Sequence, residues 1–243
     1  MGKYNSSLTR VNPLGDAIIN NHKLVDKLLS LVMSSDSIEM GDFSNSNVFY
    51  SGGQGEKALK PSLNHLGAIN EKIINDEKFR SYIRQKDKSS RSNKILRNKL
   101  FSLDMETIKL ARSRFKDWNT FETASYPDLF IENDKFIIVI EGKRTETDIT
   151  RSTTYLPNRC QMVRHIENAL EYCKDQKRVI GFYVIEDTCG YEDHCSIEYF
   201  KECLEKETIK KDNKLKSAII NSFYGYTTWQ EISNMLRIVF PKD

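Results

Sequence analysis

The stretch YPDLFIENDKFIIVIEGKR, from Tyr126 to Arg144, decides how the rest of the chain is read. It holds two apolar runs rich in β-branched and aromatic residues, DLFIE and KFIIVIE, with the turn-forming pair Asn133-Asp134 between them. That pattern predicts a tight β-hairpin. In a hairpin the start of one strand lies beside the end of the next, so Asp128 comes to the same end as Glu141 and Lys143. Glu141 and Lys143 are two residues apart and share one face of their strand. A pair of carboxylates and an amine therefore converge at one sheet edge.

Strands also need polar ends, and that is the plainer reading of these residues. The grouping nevertheless suits a definite chemistry. Mg2+ takes oxygen ligands, usually one or two protein carboxylates, and completes its octahedron with water and substrate phosphate. Asp128 and Glu141 supply the carboxylates and the Gly142 carbonyl a third oxygen. A metal held there polarises a phosphodiester and acidifies an attacking water. Lys143 would orient or deprotonate that water, or offset charge in the transition state.

Downstream, NRCQMVRHIENALEYCKD sets Met162, Ile166, Ala169 and Cys173 on one helical face, and RVIGFYVIED is a continuous apolar run of the kind buried on both sides of a sheet. Amphipathic helices follow near residues 197–209 and 228–239. Upstream, Met105, Ile108, Ala111 and Phe115 mark a helix from Leu103 to Trp118, and TFETA reads as a further strand. Earlier helices are expected from Asp16, placed as a cap, to Met33, and from Ser62 to Ile83. Residues 34–61 read as a loop: SGGQGEKALKP lacks the ending of a phosphate-binding loop, and NVFY is a poor buried strand. The order predicts a layered α/β or α+β core over residues 101–243. Residues 1–100 read as a helical N-terminal extension with a basic, Ser-rich linker.

Of the 243 residues, 39% are hydrophobic and 29% charged, which argues against a disordered or a membrane protein. The N-terminus is too polar for an export signal. The five cysteines, an odd number, then read as reduced thiols in a cytoplasmic protein. DTCGYEDHC, with Cys189, His194 and Cys195, lacks the spacing of a structural zinc site and reads as packing and loop.

The net charge of +3 is modest, but its distribution is uneven. Between Arg80 and Lys99 eight Lys/Arg face a single Asp. A second basic group, Lys143, Arg144, Arg151, Arg159 and Arg164, follows the hairpin. Basic density beside a candidate site is the footprint of phosphate-backbone binding, although it is also that of a solvated linker.

Pro127-Asp128, a hairpin, then Glu141-Gly142-Lys143 after FIIVI resembles the PD-(D/E)xK nuclease superfamily, over roughly residues 103–187. The resemblance implies a restriction-endonuclease-like αβββαβ core with a mixed central sheet flanked by helices. It implies a DNA endonuclease of restriction or defence type acting on double-stranded DNA, often as a homodimer, with Mg2+ that Mn2+ can replace. Asp128 and Glu141 would be metal ligands and Lys143 the catalytic lysine. Gln161 or Arg164 would match the polar residue on the next helix, and Glu71 and Glu106 compete for the acidic position on the first. The loop KRTETDITRSTTYLPNRCQ, rich in hydroxyls and arginines, would lie beside the scissile strand, with Arg144, Arg151, Arg159, Gln161 and Arg164 on nucleic acid. Tyr155 and His165 read as packing residues. The alternative is a non-catalytic nucleic-acid-binding or assembly module that keeps the same fold.

Overall fold

The hairpin forms, with its turn one residue later than the sequence suggests. In this computed structural model, which describes residues 6–33, 42–86, 98, 101–102 and 121–241, strands β2 (Leu129–Glu132) and β3 (Phe136–Gly142) pair antiparallel with Glu132 opposite Ile137. Asn133 N–H donates to the Phe136 carbonyl, which leaves Asp134 and Lys135 as the loop residues. Neither has a positive φ, so the turn is not of the primed kind. The Asn133 side chain instead accepts from the N–H groups of Lys135 and Phe136, the usual work of Asn at the first turn position.

Five strands make one mixed sheet in the order β1-β2-β3-β4-β5. β1 (Asn47–Tyr50) is antiparallel to β2, while β4 (Arg178–Ile185) and β5 (Phe223–Thr228) continue parallel to β3. β3 is buried throughout and β4 nearly so, as expected of central strands covered on both faces.

On one face lie a π-helical turn (Ser7–Val11), α1 (Asn12–Asn20) and α2 (Leu24–Leu29). Their Leu14, Ile18, Leu28 and Leu29 share a core with Ile138 and Ile140, and Trp229 of α8 (Trp229–Leu236) closes it. On the other face α5 (Gln161–Cys173) packs Met162, Val163 and Ile166 against Ile137, Val139 and Tyr183. A Cβ at Gly181 would lie 2.7 Å from Ile166, so α5 sits on β4 at a distance only glycine permits. α6 (Ile197–Lys206) and α7 (Asn213–Asn221) extend that layer. The helices α3 (Leu63–Asn75) and α4 (Glu77–Lys86) form a third cluster with Phe101, Phe121, Leu156 and Ile209.

Several expectations are corrected. NVFY is a strand, β1, whose Val48 and Tyr50 face the core while its other positions stay partly exposed, as an edge strand allows. The described part of TFETA, residues 121–124, is not a strand; Ser125, just after it, forms an isolated bridge to Leu59. The N-terminal part is therefore not helical throughout, and it supplies an edge of the sheet and part of the core. The first long helix breaks between Asn20 and Leu24, and Asp16 is not a cap but lies within α1, accepting from Tyr50 Oη at 2.5 Å. The helix from Ser62 breaks at Asp76. The helices expected at 197–209 and 228–239 end at Lys206 and Leu236, and α7 stands between them where none was expected. The expected helix 103–118, with Glu106, and most of the basic linker lie outside the described residues.

Candidate active site

The β2/β3 register sets Leu129 opposite Ile140, and the next pair outward is Asp128 and Glu141. Alternation puts both on the face covered by α5, because Phe130 and Val139 also belong to that core. Asp128 is half-buried and its Oδ2 accepts from Gly142 N–H at 2.9 Å. Glu141 is 3% exposed. Its Oε1 accepts a hydrogen bond from Lys143 Nζ at 2.8 Å, and its Oε2 lies 3.1 Å from His165 Nε2. Lys143 Nζ also donates to Gln161 Oε1 at 3.2 Å; since an ammonium only donates, the amide oxygen must be the atom facing it.

The electrostatics follow from this packing. Burial, then the Glu141 charge, raises the Asp128 carboxyl well above its ordinary range, and the Gly142 N–H and Lys143 offset this only in part. Burial acts the same way on Glu141, but Lys143 and His165 outweigh it and hold that carboxyl below the usual range. Burial disfavours charge on Lys143 too; its carboxylate neighbours, Glu141 first, prevail and raise its proton affinity. Lys143 is thus an ammonium in this arrangement. His165, read from sequence as packing, belongs to the site. Its signal was its position four residues beyond Gln161, which puts both on one face of α5.

The donor set suits a hard cation. Among the described residues no group of three His, Cys, Asp or Glu side chains forms a metal cage. Mg2+ needs no such cage and uses one or two carboxylates with water. Along a strand the N–H and C=O of one residue point to the same side, so the Gly142 carbonyl shares the Asp128 edge. The raised proton affinity of Asp128 comes first from burial and then from the Glu141 charge, and a divalent ion bound between the two carboxylates would oppose both. Cys189, His194 and Cys195 form no such group; His194 Nδ1 instead pairs with Asp148 at 2.8 Å.

The remaining expected site residues divide. Gln161 and Arg164 stand at the start of α5 beside the site, with Arg164 Nη2 donating to the carbonyls of Thr123 and Ala124. Arg151 is exposed, bonded to Tyr199 Oη at 2.8 Å and paired with Asp148. Arg144 is buried and donates to Thr9 Oγ1 at 2.8 Å, which ties β3's end to the N-terminal turn. Arg159 is not available to a ligand. It is 2% exposed, and its guanidinium is divided among Glu122, Glu167 and Glu207 at 2.7, 2.7 and 2.9 Å. Lys211 and His65 join the same buried network. Glu71 is exposed on α3, whereas Glu56, which sequence reasoning passed over, adds its charge to Asp128. No helix among the described residues is long and apolar enough to cross a membrane. No protein-family model, curated protein or solved structure matches this chain.

Proposed function

We propose that this chain is a metal-dependent nuclease that hydrolyses phosphodiester bonds in DNA. The observation that carries the proposal is the juxtaposition of Asp128, Glu141 and Lys143 at one end of the β2/β3 pair, with Lys143 held between Glu141 and Gln161. Further support comes from the sheet. An antiparallel pair joined to a parallel strand through a helix agrees with the arrangement implied by the PD-(D/E)xK resemblance, while the third antiparallel strand, β1, comes from outside the residues that carry it. The restriction or defence role, the homodimer and the double-stranded substrate rest on that resemblance alone.

In this reading Asp128, Glu141 and the Gly142 carbonyl would hold Mg2+ or Mn2+. The bound ion would supply Lewis-acid polarisation of the phosphate and an acidified water. Lys143, kept protonated by Glu141, is poorly suited to be a base; it would stabilise the negative charge that builds on the phosphoryl oxygens. Gln161 would hold the Lys143 ammonium in place. His165 would keep Glu141 ionised and oriented.

One observation favours the non-catalytic alternative: both Glu141 oxygens already have protein partners. Incubation of supercoiled plasmid and labelled oligonucleotides with Mg2+ or Mn2+, using the wild-type chain and Lys143→Ala, separates the readings. Metal-dependent cutting that disappears in the variant is expected. Shift of the labelled DNA with no cutting by either protein would favour the binding module.

A further inference from the structure

We infer that the cavity beside the candidate active site is a subsite for one unpaired nucleotide of the substrate strand, next to the phosphate to be cut. That position relative to the cut rests on the nuclease reading. The cavity has a volume of 420 Å³ and lies between the segment Phe121–Thr123, the loop Thr150–Tyr155 and the start of α5. This is within the roughly 300–1,000 Å³ of sites that enclose a small organic group. A base-paired duplex is far too wide for it.

Its polar lining is mostly hydroxyls, each able to donate. The hydroxyls of Thr150, Ser152 and Thr154 make no hydrogen bond among the described residues, and Thr153 Oγ1 accepts from Leu156 N–H, leaving its own proton to give. Hydroxyl donors set around an open space suit sugar and phosphate oxygens. The acidic member of the lining, Glu122, is 3% exposed and ion-paired with Arg159 and Arg164 at 2.7 and 3.3 Å, with His65 Nε2 at 2.8 Å. An incoming phosphate therefore meets no uncompensated carboxylate.

Tyr155, partly exposed and packed edge to face on the buried Phe121 with centroids 5.5 Å apart, gives the cavity an aromatic side against which a base can lie. Gln161 joins the cavity to the site. Its oxygen holds Lys143, while its amide N–H₂ has no partner among the described residues and belongs to the cavity lining. One nucleotide in the cavity would thus set its adjoining phosphate near Lys143. The subsite selects a strand that is unpaired there, so single-stranded or frayed DNA should bind in preference to a closed duplex.

The test is binding in EDTA, where no cleavage occurs, of a labelled single-stranded oligonucleotide and a blunt-ended duplex of the same sequence. Wild type is compared with Ser152→Leu, which places a branched apolar side chain in the mouth, and with Thr150→Val, which removes one donor. Ser152 and Thr150 are exposed, so both variants should keep the wild-type unfolding temperature. A preference of about ten-fold for the single strand, comparable to one stacked base, is expected in wild type and should be lost in Ser152→Leu. Equal binding of both DNAs, or a preference untouched by Ser152→Leu, overturns the subsite even if the wild-type protein cuts plasmid. Single-strand binding that depends on the cavity in a protein that never cuts would uphold the subsite and remove the nuclease reading.

Discussion

Trp229 Nε1 donates to the backbone carbonyl of Lys143 at 2.9 Å, so α8 fixes the end of β3 from the sheet face opposite the candidate site. The ring comes close to Gly142: a Cβ there would be 2.8 Å from Trp229 Cζ2 and 3.0 Å from Val11. Glycine between Glu141 and Lys143 is thus a packing requirement of the far face. Gly142→Ala should cost about 1–3 kcal/mol in urea unfolding by overpacking. It should also reduce any cleavage activity by shifting Glu141 and Lys143 together. Unchanged stability would mean that Trp229 moves aside without cost.

A carboxyl with raised proton affinity works against folding at neutral pH. The proton affinity of Asp128 in the fold lies well above its ordinary value of 3.8. Its contribution is therefore fully present below that value and is lost as pH rises through the folded-state value. Asp128→Asn removes the penalty while keeping an acceptor for Gly142 N–H. The variant should melt above wild type in EDTA at pH 7.5. Adding Mg2+ should stabilise wild type and leave the variant unmoved. A variant less stable than wild type in EDTA would show that Asp128 is not destabilising.

What could be read from the sequence tracks where the physical signal is local. β2, β3, β4 and α5 each bury a nearly continuous or periodic set of residues, and that pattern is visible in a window of ten. The triad was legible because hairpin geometry alone juxtaposes its members. β1 was not, since a four-residue edge strand carries too little apolar pattern. β5 alternates only over FYGYTT, with Tyr226 exposed and Gly225 at φ 76°, too short a pattern to be read as a strand. Arg159 looked like one more basic loop residue because its carboxylate partners, at positions 122, 167 and 207, are scattered along the chain. Nothing local distinguishes an arginine facing solvent from one that closes a buried network.

Arg151 gives the clearest test of a surface role. It is exposed and held by Asp148 and Tyr199, and exposed pairs contribute only about 0–1 kcal/mol. Arg151→Ala should leave the unfolding midpoint nearly unchanged. If the loop lies along a DNA backbone, the same change should weaken binding across sequences alike and reduce the salt slope by about one. An unaltered slope would remove Arg151 from the interface.

Arg159 should behave in the opposite way. Its removal leaves Glu122, Glu167 and Glu207 facing one another in the interior with Lys211 and Arg164 as the remaining cations and the His65 imidazole beside them. Truncating one partner of a buried ion pair typically costs about 3–5 kcal/mol, so Arg159→Met should unfold at far lower urea than wild type. The effect should depend on pH. In wild type, burial tends to raise Glu122, but Arg159 and His65 overcome it and hold its carboxyl below the ordinary value of 4.5. Burial is likewise outweighed at Glu167, by Arg159 first. Groups depressed in the fold stabilise it above their unfolded values, and this stabilisation is lost as pH falls through the folded ones. Without Arg159, repulsion and burial raise the same carboxyls, and the variant gains stability on acidification. The difference between the two proteins should therefore be largest near pH 7 and shrink as pH falls through 4.5. Urea unfolding at a series of pH values measures this directly, and a difference independent of pH would mean that Arg159 stabilises the fold by packing rather than by charge.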